Sequence, residues 1–217
     1  MTQLLLDILP EWEPTLDNFV PGRNAEVQSV LRHALEYYGS ERCIYLWGEP
    51  GSGKTHLLQA MVRLAQARGL TASYRCGGLP EAAQVVAVDG VGELDALRQI
   101  ALFELYNQLR EQQGLLIVSG SAAPAYLGVR DDLRTRLGWG LVYQLHALND
   151  AEKAQALEQH ALARGMALTP EVVQYLLRHG RRDLPSLLAT LNALDAHCLR
   201  LQRGASVPLL KEVMAGA

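Results

Sequence analysis

Eight consecutive residues, Gly48-Glu49-Pro50-Gly51-Ser52-Gly53-Lys54-Thr55, constrain this chain more than any other stretch. They fit the phosphate-binding loop GxxxxGK[ST] at every fixed position. At average composition those positions coincide by chance in a chain this long roughly once in a hundred sequences or fewer. An apolar β-type run, Cys43-Ile44-Tyr45-Leu46-Trp47, leads in, and a helical pattern from Leu57 to Leu64 leads out. The alternative is a glycine-rich turn after a strand, but the strand–loop–helix order is what a phosphate loop requires. Glycines let backbone N–H groups turn inward around phosphate oxygens, and the following helix points its positive end at the same anion. Lys54 would reach the outer phosphates of ADP or ATP, and the Thr55 hydroxyl would ligate Mg²⁺.

The chain of 217 residues is long enough for one substantial core and a small second domain. A net charge of −3 argues against duplex DNA as the main partner, because such proteins usually carry a basic excess. Cys43, Cys76 and Cys198 are odd in number and far apart, which fits reduced thiols rather than a disulfide framework or a metal knuckle. The six histidines show no metal-ligand spacing. No apolar run has the length of a membrane span, and the start lacks signal-peptide features, so a cytoplasmic location is expected.

The chain opens on Gln3-Leu4-Leu5-Leu6-Asp7-Ile8-Leu9, followed closely by Pro10 and Pro14. Such an apolar tail either tucks onto its own core or enters another protein's groove. A loop with Phe19 as aromatic anchor precedes a helix over 25–38, with Asn24 as its expected N-cap. Helices are further predicted over 55–68 and 93–113, the second burying Leu94, Leu97, Ile100, Ala101, Leu105 and Leu109. Strands are predicted at 43–47, 71–75, 84–89, 115–118 and 141–145. Strands alternating with helices predict an α/β domain with a five-stranded parallel sheet.

Asp89 ends a buried strand, where a carboxylate holds the Mg²⁺ shell, here expected through water. Many ATPases carry a second acid next, to orient the attacking water; this chain has Gly90. Glu93 would substitute only if the Gly90-Val91-Gly92 turn folds back, and it is not counted among the site residues. Ser121 follows the fourth strand at the ligand-binding edge, where a turn serine is the plainer reading. From Asn149 the pattern is helical only: Asn149 with Glu152 forms an N-cap pair, Thr169-Pro170 starts a second helix, 184–202 is a third, and Pro208 opens a short last one. The expected organisation is a tail at 1–13, a nucleotide domain at 14–147 and a helical lid at 148–217.

The layout resembles the AAA+ ATPases, and within them the bacterial initiator DnaA. The string Thr15-Leu16-Asp17-Asn18-Phe19-Val20-Pro21-Gly22-Arg23-Asn24 is similar to that family's first loop, which implies that Asn18, Phe19 and Val20 lie beside the adenine. Gly53-Lys54-Thr55-His56-Leu57-Leu58 is similar to its phosphate loop and helix, which adds His56 to the nucleotide residues. Arg134-Thr135-Arg136-Leu137-Gly138-Trp139-Gly140-Leu141 resembles its box VII, which makes Arg136 the arginine finger, a group that acts in trans on a neighbour's ATP. The same resemblance makes Ser121 the first sensor.

The likeness runs from about residue 14 to 214 and includes no DNA-binding domain. Together with the apolar tail, it resembles the Hda group of regulatory inactivators of DnaA. That resemblance implies that Gln3, Leu4, Leu6 and Ile8 dock on the DNA polymerase III sliding clamp, the beta subunit, with Asp7 where the common pattern has proline. It implies DnaA as partner, DNA contact only through the clamp, and a regulator that is at most a weak ATPase. Three departures stand out: Gly90, Ser121, and Pro185 where a lid sensor arginine is expected, with Arg181 and Arg182 nearby. The alternatives are a helicase-loader or transposition-type AAA+ ATPase, and a clamp-binding adaptor without effect on hydrolysis. The sequence leaves the oligomeric state and the preferred nucleotide open.

Overall fold

The computed structural model describes residues 13–36 and 42–215. The tail residues Gln3, Leu4, Leu6 and Ile8, and the expected end of the first helix near Gly39, lie outside the described residues. The chain divides into two units, the first ending at His146 and the second starting at Ala147.

The first unit is built on a parallel sheet of five strands: β1 (Cys43–Trp47), β2 (Ala72–Cys76), β3 (Val85–Asp89), β4 (Leu115–Gly120) and β5 (Leu141–Gln144). Their order is β2-β3-β4-β1-β5, and every pairing is parallel. The three central strands are almost wholly buried, which explains their unbroken apolar runs. The edge strands β2 and β5 are half-exposed and more polar.

Side chains alternate between the two faces, so each face has its own core. Ile44, Leu46, Ala87 and Ile117 pack with Leu31 from helix α1 (Ala25–Ala34) and with Leu57, Leu58 and Met61 from α2 (Lys54–Ala67). Tyr45, Val86, Val88 and Val118 pack with Leu102 and Leu105 from α3 (Ala96–Glu111) and with Leu133 and Leu137 from α4 (Asp131–Trp139). No element is predicted over α4 from the sequence. Its polar surface and brevity hide the period that Leu133 and Leu137 carry.

Two expectations are corrected here. Asn24 does not cap α1: it ends a short 3-10 turn, and its side chain bonds elsewhere. Its Nδ2 donates to His146 O at 2.9 Å, and His146 N–H donates to its Oδ1 at 2.8 Å, joining positions 122 residues apart. The long helix predicted over 93–113 begins later. Val91–Glu93 forms a 3-10 turn, and Asp95 caps α3 by accepting from Arg98 N–H. The buried face therefore shifts to Gln99, Leu102, Leu105, Tyr106 and Leu109, which leaves Leu97 exposed and Ile100 half-exposed.

The second unit is helical: α5 (Asp150–Ala163), α6 (Pro170–His179), α7 (Leu184–Leu201) and α8 (Val207–Ala215). The Asn149–Glu152 capping box is present in full. Thr169 precedes α6 without making a side-chain cap bond, whereas Asp183 caps α7 by accepting from Ser186 N–H. Leu157, Leu176, Leu191, Leu194 and Leu210 are fully buried. Arg164 pairs with buried Asp195 at 2.9 Å.

Candidate functional site

β1 delivers the chain into residues 48–53 at the carboxyl edge of the sheet, and α2 starts at Lys54. Gly48 enters this loop so close to the chain after β5 that a Cβ on it would meet Leu145 O at 2.2 Å. The loop is thus pinned to the sheet by a glycine-sized gap. Within it, Lys54 Nζ donates to Gly48 O at 2.7 Å, Glu49 O at 2.9 Å and Ser52 Oγ at 3.3 Å. Burial lowers the Lys54 pKa, and the charge of Asp89 works against that fall.

Thr55 and Asp89, the two residues expected to hold Mg²⁺, are in direct contact: Thr55 Oγ1 donates to Asp89 Oδ2 at 2.6 Å. An alcohol and a carboxylate on one small oxygen-rich spot fit a hard cation that keeps several waters. Among the described residues no cluster of three histidine, cysteine or acidic side chains competes as a metal site. Lys54 and the loop amides fit the phosphates of a nucleotide, and Thr55 and Asp89 would hold its magnesium. The bound ion would neutralise phosphate charge.

Asp89 has two further partners that no motif marks. Tyr74, on β2, donates its hydroxyl to Asp89 Oδ2 at 3.1 Å. Burial first, and then the Asp89 charge, push the Tyr74 pKa well up. Ser119, on β4, donates to Asp89 Oδ1 and accepts from Gly90 N–H, the latter at 3.0 Å. The register shows why: Val88 pairs with Val118, so Ser119 stands beside Asp89, and Cys76 pairs with Asp89 from the other strand. A polar residue on a buried strand next to the acid was the available signal. Ser121 lies exposed beyond the end of β4.

The loop expected beside the adenine closes on itself. Thr15 N–H donates to Asn18 Oδ1 at 2.9 Å, Asn18 N–H donates to Thr15 Oγ1 at 3.1 Å, and Asn18 Nδ2 donates to Glu13 O at 2.8 Å. Leu16 and Phe19 are buried in the first core, and Val20 is half-buried. Phe19 abuts the phosphate loop, since a Cβ on Gly53 would fall 2.8 Å from its ring. Its ring centre is 5.5 Å from that of His56, whose Nε2 donates to Thr15 O at 2.9 Å. Burial pulls the His56 pKa down, partly offset by that bond. Of the three residues expected beside the base, Phe19 is thereby brought next to Gly53 and His56, while Asn18 bonds within its own loop to Thr15 and Glu13.

Box VII forms α4. Arg130 and Arg134 are paired with Asp132 at 2.8 Å and Asp131 at 2.6 Å. Arg136 has no carboxylate partner among the described residues and lies instead over aromatic rings. Its guanidinium carbon is 4.2 Å from the Trp139 ring centre, 5.7 Å from Phe103 and 5.8 Å from Tyr106. In the lid unit, Pro185 sits in the first turn of α7, and the exposed Arg181 lies 3.7 Å from Asp183.

Comparisons with known proteins agree with this layout. Residues 150–214 match the family described as Hda, lid domain. AMPPCP-bound DnaA from Aquifex aeolicus superposes with a TM-score of 0.72 at 23% identity, over 84% of this chain and 65% of that one. The chain thus covers just under two thirds of that relative's length. Domain III of the DnaA replication initiation protein from Thermotoga maritima gives a TM-score of 0.76 at 18% identity, over 93% of this chain and 95% of that one. The RuvB Holliday junction branch migration motor from Thermotoga maritima gives 0.68 at 14% identity, over 93% and 71%. The fold is that of the DnaA AAA+ domain with a helical lid, and identities this low speak for the fold alone.

Proposed function

We propose that this chain is an Hda-like, DnaA-related AAA+ protein that acts as a nucleotide-bound regulator of replication initiation in the cytoplasm. It binds ADP or ATP with Mg²⁺ at residues 48–56 and Asp89, with Asn18, Phe19 and Val20 beside the base. Residues Gln3, Leu4, Leu6 and Ile8 attach it to the DNA-loaded sliding clamp. From there it presents Arg136 to ATP-bound DnaA and stimulates hydrolysis, so that DnaA loses initiation competence. The observation that carries this reading is the match of residues 150–214 to the Hda lid.

The chemistry asked of Arg136 is charge stabilisation. Negative charge on a phosphoryl group in transfer is met by a preplaced guanidinium. A finger supplied in trans raises the rate by about 10³ to 10⁵, or roughly 4 to 7 kcal/mol of barrier. A permanent carboxylate partner would neutralise that group. Its support on aromatic faces orients the guanidinium without neutralising it.

The test is hydrolysis of DnaA-bound ATP with DNA-loaded clamp, with and without this protein. Stimulation that disappears both in Arg136→Ala and in a chain lacking residues 1–9 supports the reading. Clamp binding without stimulation would make the protein an adaptor, and brisk turnover of its own without DnaA would favour a motor.

A further inference from the structure

The position after Asp89 is glycine, yet a carboxylate stands where its side chain would be. Gly90 has φ +77°, a left-handed conformation that turns the chain sharply off β3. Glu93 N–H then donates to Gly90 O at 2.9 Å and Leu94 N–H to Val91 O at 3.3 Å. Val91 and Leu94 are both buried in the second core, so the turn is anchored on each side. A Cβ placed on Gly90 would lie 3.3 Å from Glu93 Cδ and 3.5 Å from each of its carboxylate oxygens. Glu93 Oε2 is also 3.6 Å from where a Cβ on Gly77 would be, at the end of β2. Two glycines, each the first residue after its strand, thus frame this carboxylate.

Glu93 is exposed, and no arginine or lysine pairs with it among the described residues. Its frame is tied to the proposed magnesium carboxylate. Ser119 links Asp89 to Gly90 N–H, and Gly77 N–H donates to Asp89 O at 3.0 Å. The Cys76 thiol is pushed up by partial burial and then by the charges of Asp89 and Glu93, so the two acids act on one spot.

We propose that Glu93, folded back over Gly90, is the water-orienting carboxylate of this chain's own slow ATP hydrolysis. The proposal rests on nucleotide binding at residues 48–56. A water held by Glu93 attacks the γ-phosphorus. A new O–P bond forms as the bond from phosphorus to the β,γ-bridging oxygen breaks. The bridging oxygen leaves with its electron pair as part of ADP, and the water's proton passes to the Glu93 carboxylate on its way to solvent. The activity belongs to this chain and is separate from the action of Arg136 on DnaA.

The test compares the full-length protein with Glu93→Gln and Glu93→Asp. A fluorescent ATP analogue reads binding, single-turnover assays read hydrolysis, and thermal shift with ADP and aluminium fluoride reads the hydrolytic geometry. Unchanged analogue binding in Glu93→Gln, hydrolysis down by about 100-fold, and loss of the aluminium fluoride increment are expected. Partial recovery in Glu93→Asp is expected as well, because a shorter carboxylate keeps the base and loses position. Equal hydrolysis in wild type and Glu93→Gln, or wild-type binding of the analogue without hydrolysis, would overturn the proposal. Failure of the wild type to bind the analogue would instead remove the nucleotide reading beneath it.

Discussion

The Arg136 guanidinium carbon lies 4.2 Å from the centre of the Trp139 ring, one helical turn further along α4. Half of Trp139 remains exposed, so the pair sits at the surface with its charge accessible. An exposed contact of this kind contributes about 0.5 to 1 kcal/mol. Its removal should therefore leave the fold intact and change only what the arginine does.

Arg136→Ala should shift the melting temperature by a few degrees at most, while DnaA stimulation falls about 10³-fold or more. Arg136→Lys should recover little, because an ammonium is a point charge without the planar fork. Trp139→Ala should retain the charge but lose its orientation, giving an intermediate loss of stimulation. Steady-state DnaA ATP turnover against protein concentration checks all three. Full activity in Arg136→Ala would remove the trans role.

Asn24 is 2% exposed and makes both its amide bonds to the His146 backbone. Asn24→Ala leaves the partly buried His146 N–H and C=O without these partners, at up to about 1 to 3 kcal/mol each. Asn24→Asp should be at least as damaging, because a carboxylate would face His146 O in place of a donor. Urea unfolding followed by fluorescence reads the loss as a lower midpoint. Equal midpoints for wild type and Asn24→Ala would show that the tie contributes nothing.

What could be read from residues alone divides along a physical line. β1, β3 and β4 were legible because buried parallel strands are short unbroken apolar runs. The phosphate loop was legible because its glycines and lysine stand at fixed spacing. Leu97 and Ile100 misled because an apolar period cannot distinguish a core face from one left at the surface, and Asp95 starts the helix two residues after Glu93. Asn24 is expected in the wrong role, and Tyr74 and Ser119 are not singled out, because their partners are distant in sequence and only the folded chain makes them neighbours. The place of Glu93 is not legible in the sequence, because spacing alone does not reveal the handedness of the turn at Gly90.

His56 gives a pH prediction with a definite sign. Burial lowers its pKa below the ordinary 6.5 in the folded chain. Above that value both folded and unfolded chains carry it neutral, and stability is at its full level. As pH falls through 6.5 toward the lowered folded value, the unfolded chain takes up the proton first, and stability drops. Melting temperatures at pH 7.5 and 5.5 should therefore differ more in wild type than in His56→Gln. Parallel profiles would show that His56 does not carry the acid sensitivity.

Ser119 and Ser121 stand two residues apart and make opposite predictions. Ser119 is 1% exposed and bridges Asp89 to Gly90 N–H. Ser119→Ala removes both bonds at once and leaves an amide and a carboxylate oxygen short of a partner, at about 1 to 3 kcal/mol. It should also loosen the Gly90 turn and so weaken magnesium-dependent nucleotide binding more than magnesium-free binding. Ser121 is exposed, and Ser121→Ala should leave stability within about 0.5 kcal/mol. If Ser121 senses the terminal phosphate, its replacement should narrow the difference between ATP and ADP affinity without touching either fold or magnesium dependence. Isothermal titration with each nucleotide, with magnesium and with EDTA, separates these outcomes. Loss of magnesium dependence in Ser121→Ala, with Ser119→Ala unaffected, would reverse the assignment.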